Sequence, residues 1–79
     1  MQKNRSDNPL PTIGKVKWYS PDKGYGFITP DAGGDDVFLH VTLMKKIKMD
    51  SIPEGTKVKF HMEPGKNGKG MQATSLEIL

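Results

Sequence analysis

Two short stretches constrain this chain more than any other: Lys23-Gly24-Tyr25-Gly26-Phe27-Ile28 and Val37-Phe38-Leu39-His40. Both read as strands with a period of two, yet each carries large apolar or ring-bearing groups on both faces. In the first, Tyr25 and Phe27 oppose Gly24, Gly26 and Ile28; in the second, Phe38 and His40 oppose Val37 and Leu39. A chain of 79 residues builds one modest core and has no second core to offer. If Ile28, Val37 and Leu39 face that core, the rings face solvent or a flat ligand. Lys15, Lys17 and Lys23 lie close by in sequence, and Trp18 and Tyr19 follow Lys17 directly. Rings set among cations suit nucleic-acid bases, whose π-faces stack while the phosphates meet positive charge.

Composition narrows the setting without deciding it. The formal net charge of +3 suits a polyanionic partner, but it also suits ordinary solubility. The absence of cysteine removes disulfides, thiolate zinc sites and a cysteine nucleophile together. No stretch is long and apolar enough to cross a membrane or act as a secretory leader, so the expected location is cytoplasmic.

Residues 1–11 are polar, carry Pro9 and Pro11, show no periodicity and read as a flexible tail, in which Lys3 and Arg5 could reach phosphates. From Thr12 a first strand runs through Ile13, Val16, Trp18 and Tyr19, with a bend or bulge expected at Gly14. Ser20-Pro21-Asp22-Lys23-Gly24 has the residues of a turn and joins strands one and two as a hairpin. Strand two ends at Pro30, and a third strand over residues 37–41 completes a meander. Thr42 is the expected cap of a single helical turn that places Leu43, Met44 and Ile47 on one face, with Pro53 and Gly55 following too soon for more. A fourth strand over residues 57–62 puts Val58, Phe60 and Met62 on one side. A mobile basic turn over residues 64–70 leads to a last strand over residues 71–78. Five short strands and almost no helix indicate an all-β sandwich or small barrel, and closing the barrel removes exposed edges.

Four motifs, in order and with matching spacing, resemble the cold-shock domain family. They are Gly14-Lys15-Val16-Lys17-Trp18-Tyr19, Lys23-Gly24-Tyr25-Gly26-Phe27-Ile28, Asp35-Asp36-Val37-Phe38-Leu39-His40 and Pro53-Glu54-Gly55. The resemblance covers residues 12–79, leaving the 1–11 tail and a slightly long turn at residues 66–69 outside it. It implies a five-stranded antiparallel OB-fold barrel with Greek-key closure and one short helical turn after strand three. It implies binding of single-stranded RNA and DNA, with an RNA chaperone, antitermination or cold-shock regulatory role, as a monomer and without a cofactor or enzymatic activity. By the same resemblance, Trp18, Tyr25, Phe27, Phe38 and His40 stack bases and Tyr19 stands at their margin. Lys17, Lys23 and Lys69 serve phosphates, and Asp36 accepts hydrogen bonds from a base edge.

The chain departs from the family's pattern in places that matter. Tyr19 and Tyr25 stand where the family has phenylalanine, and Val41 and Met49 stand where it commonly has further aromatics. A stacked ring is worth about 1 to 3 kcal/mol per base, so a shorter footprint or weaker binding is expected. Lys45, Lys46 and Lys48 are expected to compensate electrostatically.

Other chemistries find less support. His40 and His61 lack a third metal ligand, and no serine or cysteine arrangement makes either a catalytic base. Asp31, Asp35 and Asp36 lack calcium-loop spacing, and Gly24 and Gly26 lead into no phosphate-binding helix; these glycines are expected to keep the surface around the rings flat. A rival reading keeps the barrel and gives its rings an extended peptide to grip, although a neutral peptide needs no lysines around it. No small-molecule substrate or membrane partner is indicated.

Overall fold

The computed structural model describes residues 11–65 and 70–79. The 1–10 portion of the tail and residues 66–69, with Lys69 and most of the basic turn, lie outside them. The elements are β1 (Thr12–Ser20), β2 (Tyr25–Pro30), β3 (Val37–His40), α1 (Val41–Lys46), β4 (Lys57–Pro64) and β5 (Met71–Ile78). The strands close into a barrel in the order β1-β2-β3-β5-β4, with β4 pairing back onto β1. Four of the pairings are antiparallel. The exception is the β3–β5 pair, which runs parallel at Val37 with Met71 and Phe38 with Gln72.

Alternation on each strand fills the interior. Val16, Ile28, Val37, Leu39, Val58, Phe60, Ala73 and Leu76 are buried from the strands, and Leu43, Met44 and Ile52 from α1 and the segment after it. At about 25 cal/mol per Å² of apolar surface removed from water, this core is the main stabilising term. The described residues include no buried polar or charged residue, so little of that burial is offset by desolvation.

Three local expectations are corrected by the structure. The break in β1 lies between Val16 and Trp18, not at Gly14: Val16 pairs with Ile28 and Trp18 with Phe27, so Lys17 is the extra residue. Gly14 instead permits close approach, because a Cβ there would lie 2.6 Å from the Thr29 carbonyl oxygen. Strand three ends at His40, and Val41 is already helical. The helix cap is His40 rather than Thr42, since the His40 side chain accepts the Thr42 backbone N–H. Met62 lies on the side of Val58 and Phe60, as expected, half-buried and packed against the core; the irregularity opposite it belongs to β5, where Thr74 is the extra residue and Ala73 and Leu76 both face inward.

The helix ends in a Schellman arrangement. The Met49 N–H donates to the Met44 carbonyl at 3.0 Å and the Lys48 N–H to that of Lys45 at 3.1 Å. Lys48 takes the left-handed conformation this requires, with φ of 59°, where glycine is the usual residue. Met49 packs against the core.

Candidate nucleic-acid interface

The irregularity at Lys17 builds the site. Trp18 has the same parity as buried Val16 and would point inward in a regular strand; the extra residue turns it to the outer face, directly across from Phe27. On the neighbouring pair, Tyr25 lies opposite His40 and Phe27 opposite Phe38. Side chains directly opposite one another share a face, so three strands bring all five rings together.

The five form one connected, half-buried surface. Trp18 meets Tyr25 and Phe27 edge-on, with centroids 5.6 and 5.5 Å apart. Tyr25 stacks on Phe38 at 5.6 Å and 28°, and Phe27 meets Phe38 edge-on at 5.8 Å. His40 closes the row, tilted at 43° and 5.9 Å from Phe38. These contacts hold the rings against one another, and each pair is worth about 0.5 to 1.5 kcal/mol beyond its burial. The rings therefore stay half-buried on the outer face without collapse into the core.

Tyr19 is not brought into this cluster. It pairs with Gly26, whose missing side chain leaves room on the inner side, and it packs against the core. Its hydroxyl is buried with no hydrogen-bond partner among the described residues, and burial raises its pKa above the ordinary phenol value. Gly26 is buried as well, so it does not flatten the ring surface. A Cβ there would collide with the Trp18 carbonyl oxygen and press on the Tyr19 Cα. Strand parity that placed Trp18 outward also placed Tyr19 inward; the missing signal in the sequence was the bulge one residue earlier.

Polar groups border the rings unevenly. Lys17 donates to Asp36 at 2.8 Å, and the Thr29 hydroxyl donates to the other carboxylate oxygen at 3.3 Å. The hydrogen bond from Lys17 is the largest cause of a lowered Asp36 pKa; the Lys17 charge and Thr29 add to it, while partial desolvation opposes them. Asp36 is thus held as a carboxylate that can only accept. Both side chains remain partly open to solvent, at 55% for Lys17 and 32% for Asp36, so a ligand can exchange with either partner. Lys23 is exposed in the β1–β2 turn with no ion pair among the described residues. Lys45 and Lys46 are exposed in the last turn of α1, where cations favour the helix dipole, and Lys48 is exposed just beyond.

Val41 and Met49, standing where the resembled family commonly has further aromatics, have other neighbours, and Met49 packs against the core. The Val41 N–H donates to the Gly24 carbonyl at 2.8 Å, and its side chain covers Gly24, where a Cβ would meet it at 3.7 Å. The ring row ends at His40.

The second histidine belongs elsewhere. His61 Nδ1 lies 2.7 Å from the Ser75 hydroxyl, in a shallow cleft of about 310 Å³ lined by Pro11, Lys59, His61, Ser75, Leu76 and Glu77. Among the described residues no group of three His, Cys, Asp or Glu side chains could hold a metal ion, and no helix is long and apolar enough to cross a membrane.

Residues 12–78 match the family described as the 'Cold-shock' DNA-binding domain. The chain is similar to cold shock-like protein CspG of Shewanella violacea, at 46% identity over 86% of this chain and 94% of that one. It is similar to cold shock protein CapA of Pseudomonas fragi, at 48% identity over 76% of this chain and 91% of the relative. Cold shock-like protein CspA of Bordetella pertussis is 46% identical over 84% of this chain and 96% of its own. With a closed five-stranded barrel, a ring-bearing face at the matching motifs and a family match spanning nearly every described residue, this chain belongs to the cold-shock domain family.

Proposed function

We propose that this protein binds single-stranded RNA or DNA by stacking unpaired bases on Trp18, Tyr25, Phe27, Phe38 and His40. The observation that carries the reading is the ring surface itself: five rings from three strands, neighbours 5.5 to 6.2 Å apart, on a barrel whose core is filled from the opposite faces. Lys17 and Lys23 take phosphates, and Lys69, outside the described residues, is given the same role by the family resemblance alone. Asp36, held ionised, accepts hydrogen bonds from base amino and imino groups in exchange for Lys17 or Thr29. Tyr19 supports the platform from the core side.

Duplexes hide their base faces, so a stacking surface binds the open form of a hairpin more tightly than the closed one. That differential affinity alone shifts folded RNA toward unpaired states. An RNA chaperone or antitermination role follows without ATP or covalent chemistry, performed by a monomeric cytoplasmic protein. The family membership supports this reading, as do the names of the relatives.

Titration of oligo-dT and of its duplex counterpart at two salt concentrations tests it. Single-strand preference with a log–log salt slope of about −0.7 per phosphate neutralised is expected. Equal binding of the duplex would contradict the stacking reading, and a flat salt response with a peptide ligand would favour the rival one.

A further inference from the structure

We propose that Thr42 is a positioning residue for His40, fixing it as the neutral tautomer with its proton on Nε2, so that it offers nucleic acid one ring face and one N–H donor. The inference rests on the functional reading above and deepens it. His40 ends β3 and also caps α1. Its Nδ1 accepts the backbone N–H of Thr42 at 3.2 Å, and the Thr42 hydroxyl lies 3.1 Å from the same nitrogen. A backbone amide can only donate, so Nδ1 is an acceptor and carries no proton. In a neutral imidazole the proton then sits on Nε2.

The same two contacts fix how the ring lies. Turning it over would set a carbon against both Thr42 donors, and α1 offers no substitute for the lost acceptor, having no acidic residue in its first turn. The 43° tilt of His40 against Phe38 is therefore held from the helix side, with Nε2 left for the ligand. One side chain serves as both helix cap and terminal ring of the row. Asparagine or serine would serve the first purpose and phenylalanine the second, but neither would serve both.

The experiment compares the full chain with His40→Phe, His40→Asn, Thr42→Val and Thr42→Ser by oligo-dT titration, thermal melting and long-range proton–nitrogen NMR of the imidazoles. The spectrum is recorded above the ordinary histidine range. There are two histidines, so His40→Phe also assigns the signal. The free wild-type chain is expected to show the Nε2–H form at His40. His40→Phe should keep a ring but lose the cap, melting earlier and binding about fivefold more weakly. His40→Asn should keep the cap and melting temperature but bind about tenfold more weakly. Thr42→Val, which retains the amide and drops the hydroxyl, should keep the Nε2–H form but hold the ring less firmly and weaken binding about threefold, with Thr42→Ser restoring the affinity. An Nδ1–H signal in a wild-type chain that binds oligo-dT would overturn the inference alone. So would a Thr42→Val chain with unchanged affinity, or a loss of affinity that Thr42→Ser does not restore. A folded wild-type chain that binds no oligo-dT would overturn the functional reading beneath it.

Discussion

Trp18 and Phe27 face each other across β1 and β2, ring centroids 5.5 Å apart, although Trp18 shares its strand parity with fully buried Val16. One extra residue, Lys17, separates a tryptophan in the core from a tryptophan on the outer surface. The ring face and the inner face of this barrel therefore depend on the same backbone irregularity, and they should respond differently to mutation.

Phe27→Ala and Phe38→Ala are expected to weaken oligo-dT binding by about 1 to 3 kcal/mol each, since each removes a stacking face. Phe60→Ala removes a ring of similar size from the core, where Phe60 is 1% exposed, and should cost about 3 to 5 kcal/mol of folding stability. Urea unfolding and oligonucleotide titration of the three variants separate the two effects. Equal stability losses with equal affinity losses would mean that the outer rings serve packing alone.

Gly26→Ala should destabilise the barrel by about 1 to 3 kcal/mol or prevent folding, because the new methyl group meets the Trp18 carbonyl and the Tyr19 Cα. Strand β1 would have to move away from β2 and carry Trp18 with it. Urea unfolding checks the cost, and a folded variant of undiminished stability would contradict the close approach.

Lys48→Gly is expected to stabilise the fold by up to about 1 kcal/mol, since Lys48 sits at φ of 59° to end α1. The removed charge should lower the salt slope of oligonucleotide binding if Lys48 lies along the nucleic acid. Thermal melting and salt titration of this one variant read the two effects separately.

Stability should fall at both ends of the pH scale for different reasons. The Asp36 pKa is lowered in the folded chain by Lys17 first of all, so its contribution is present above the unfolded value near pH 4 and lost as pH falls through the lower folded value. The Tyr19 pKa is raised by burial, so its contribution is complete below the unfolded value near pH 10 and lost as pH climbs through the higher folded value. Urea midpoints across pH should show a smaller acid decline in Asp36→Asn and a smaller alkaline decline in Tyr19→Phe. Tyr19→Phe should also be more stable by about 1 kcal/mol at neutral pH, having no buried hydroxyl without a partner among the described residues.

Much of the fold was legible because alternation is a local property. Ile28, Val37 and Leu39 declared an inner face and Tyr25, Phe27, Phe38 and His40 an outer one, and the bounds of β5 and the end of β2 at Pro30 followed from turn residues. Features set by contacts distant in sequence were not legible. The register shift at Lys17 depends on how β1 meets β2, and it decides that Tyr19 turns inward. Ile52, in no strand or helix, is buried in the same core cluster, and no periodicity marks it. The pairing of Lys17 with Asp36, nineteen residues apart, joins a predicted phosphate contact to a predicted base contact and leaves neither independent. His40 was read for its ring alone; its second use as a cap depends on Thr42 two residues on, and that spacing was the available clue.

The most direct measurement is fluorescence of Trp18 during titration with oligo-dT, since this is the chain's only tryptophan and it belongs to the ring row. Saturable quenching by the single strand, with no quenching by the duplex, is the predicted result. Binding detected by anisotropy of a labelled oligonucleotide while Trp18 emission stays unchanged would contradict the account, because bases held elsewhere on the barrel would leave the row of rings unoccupied.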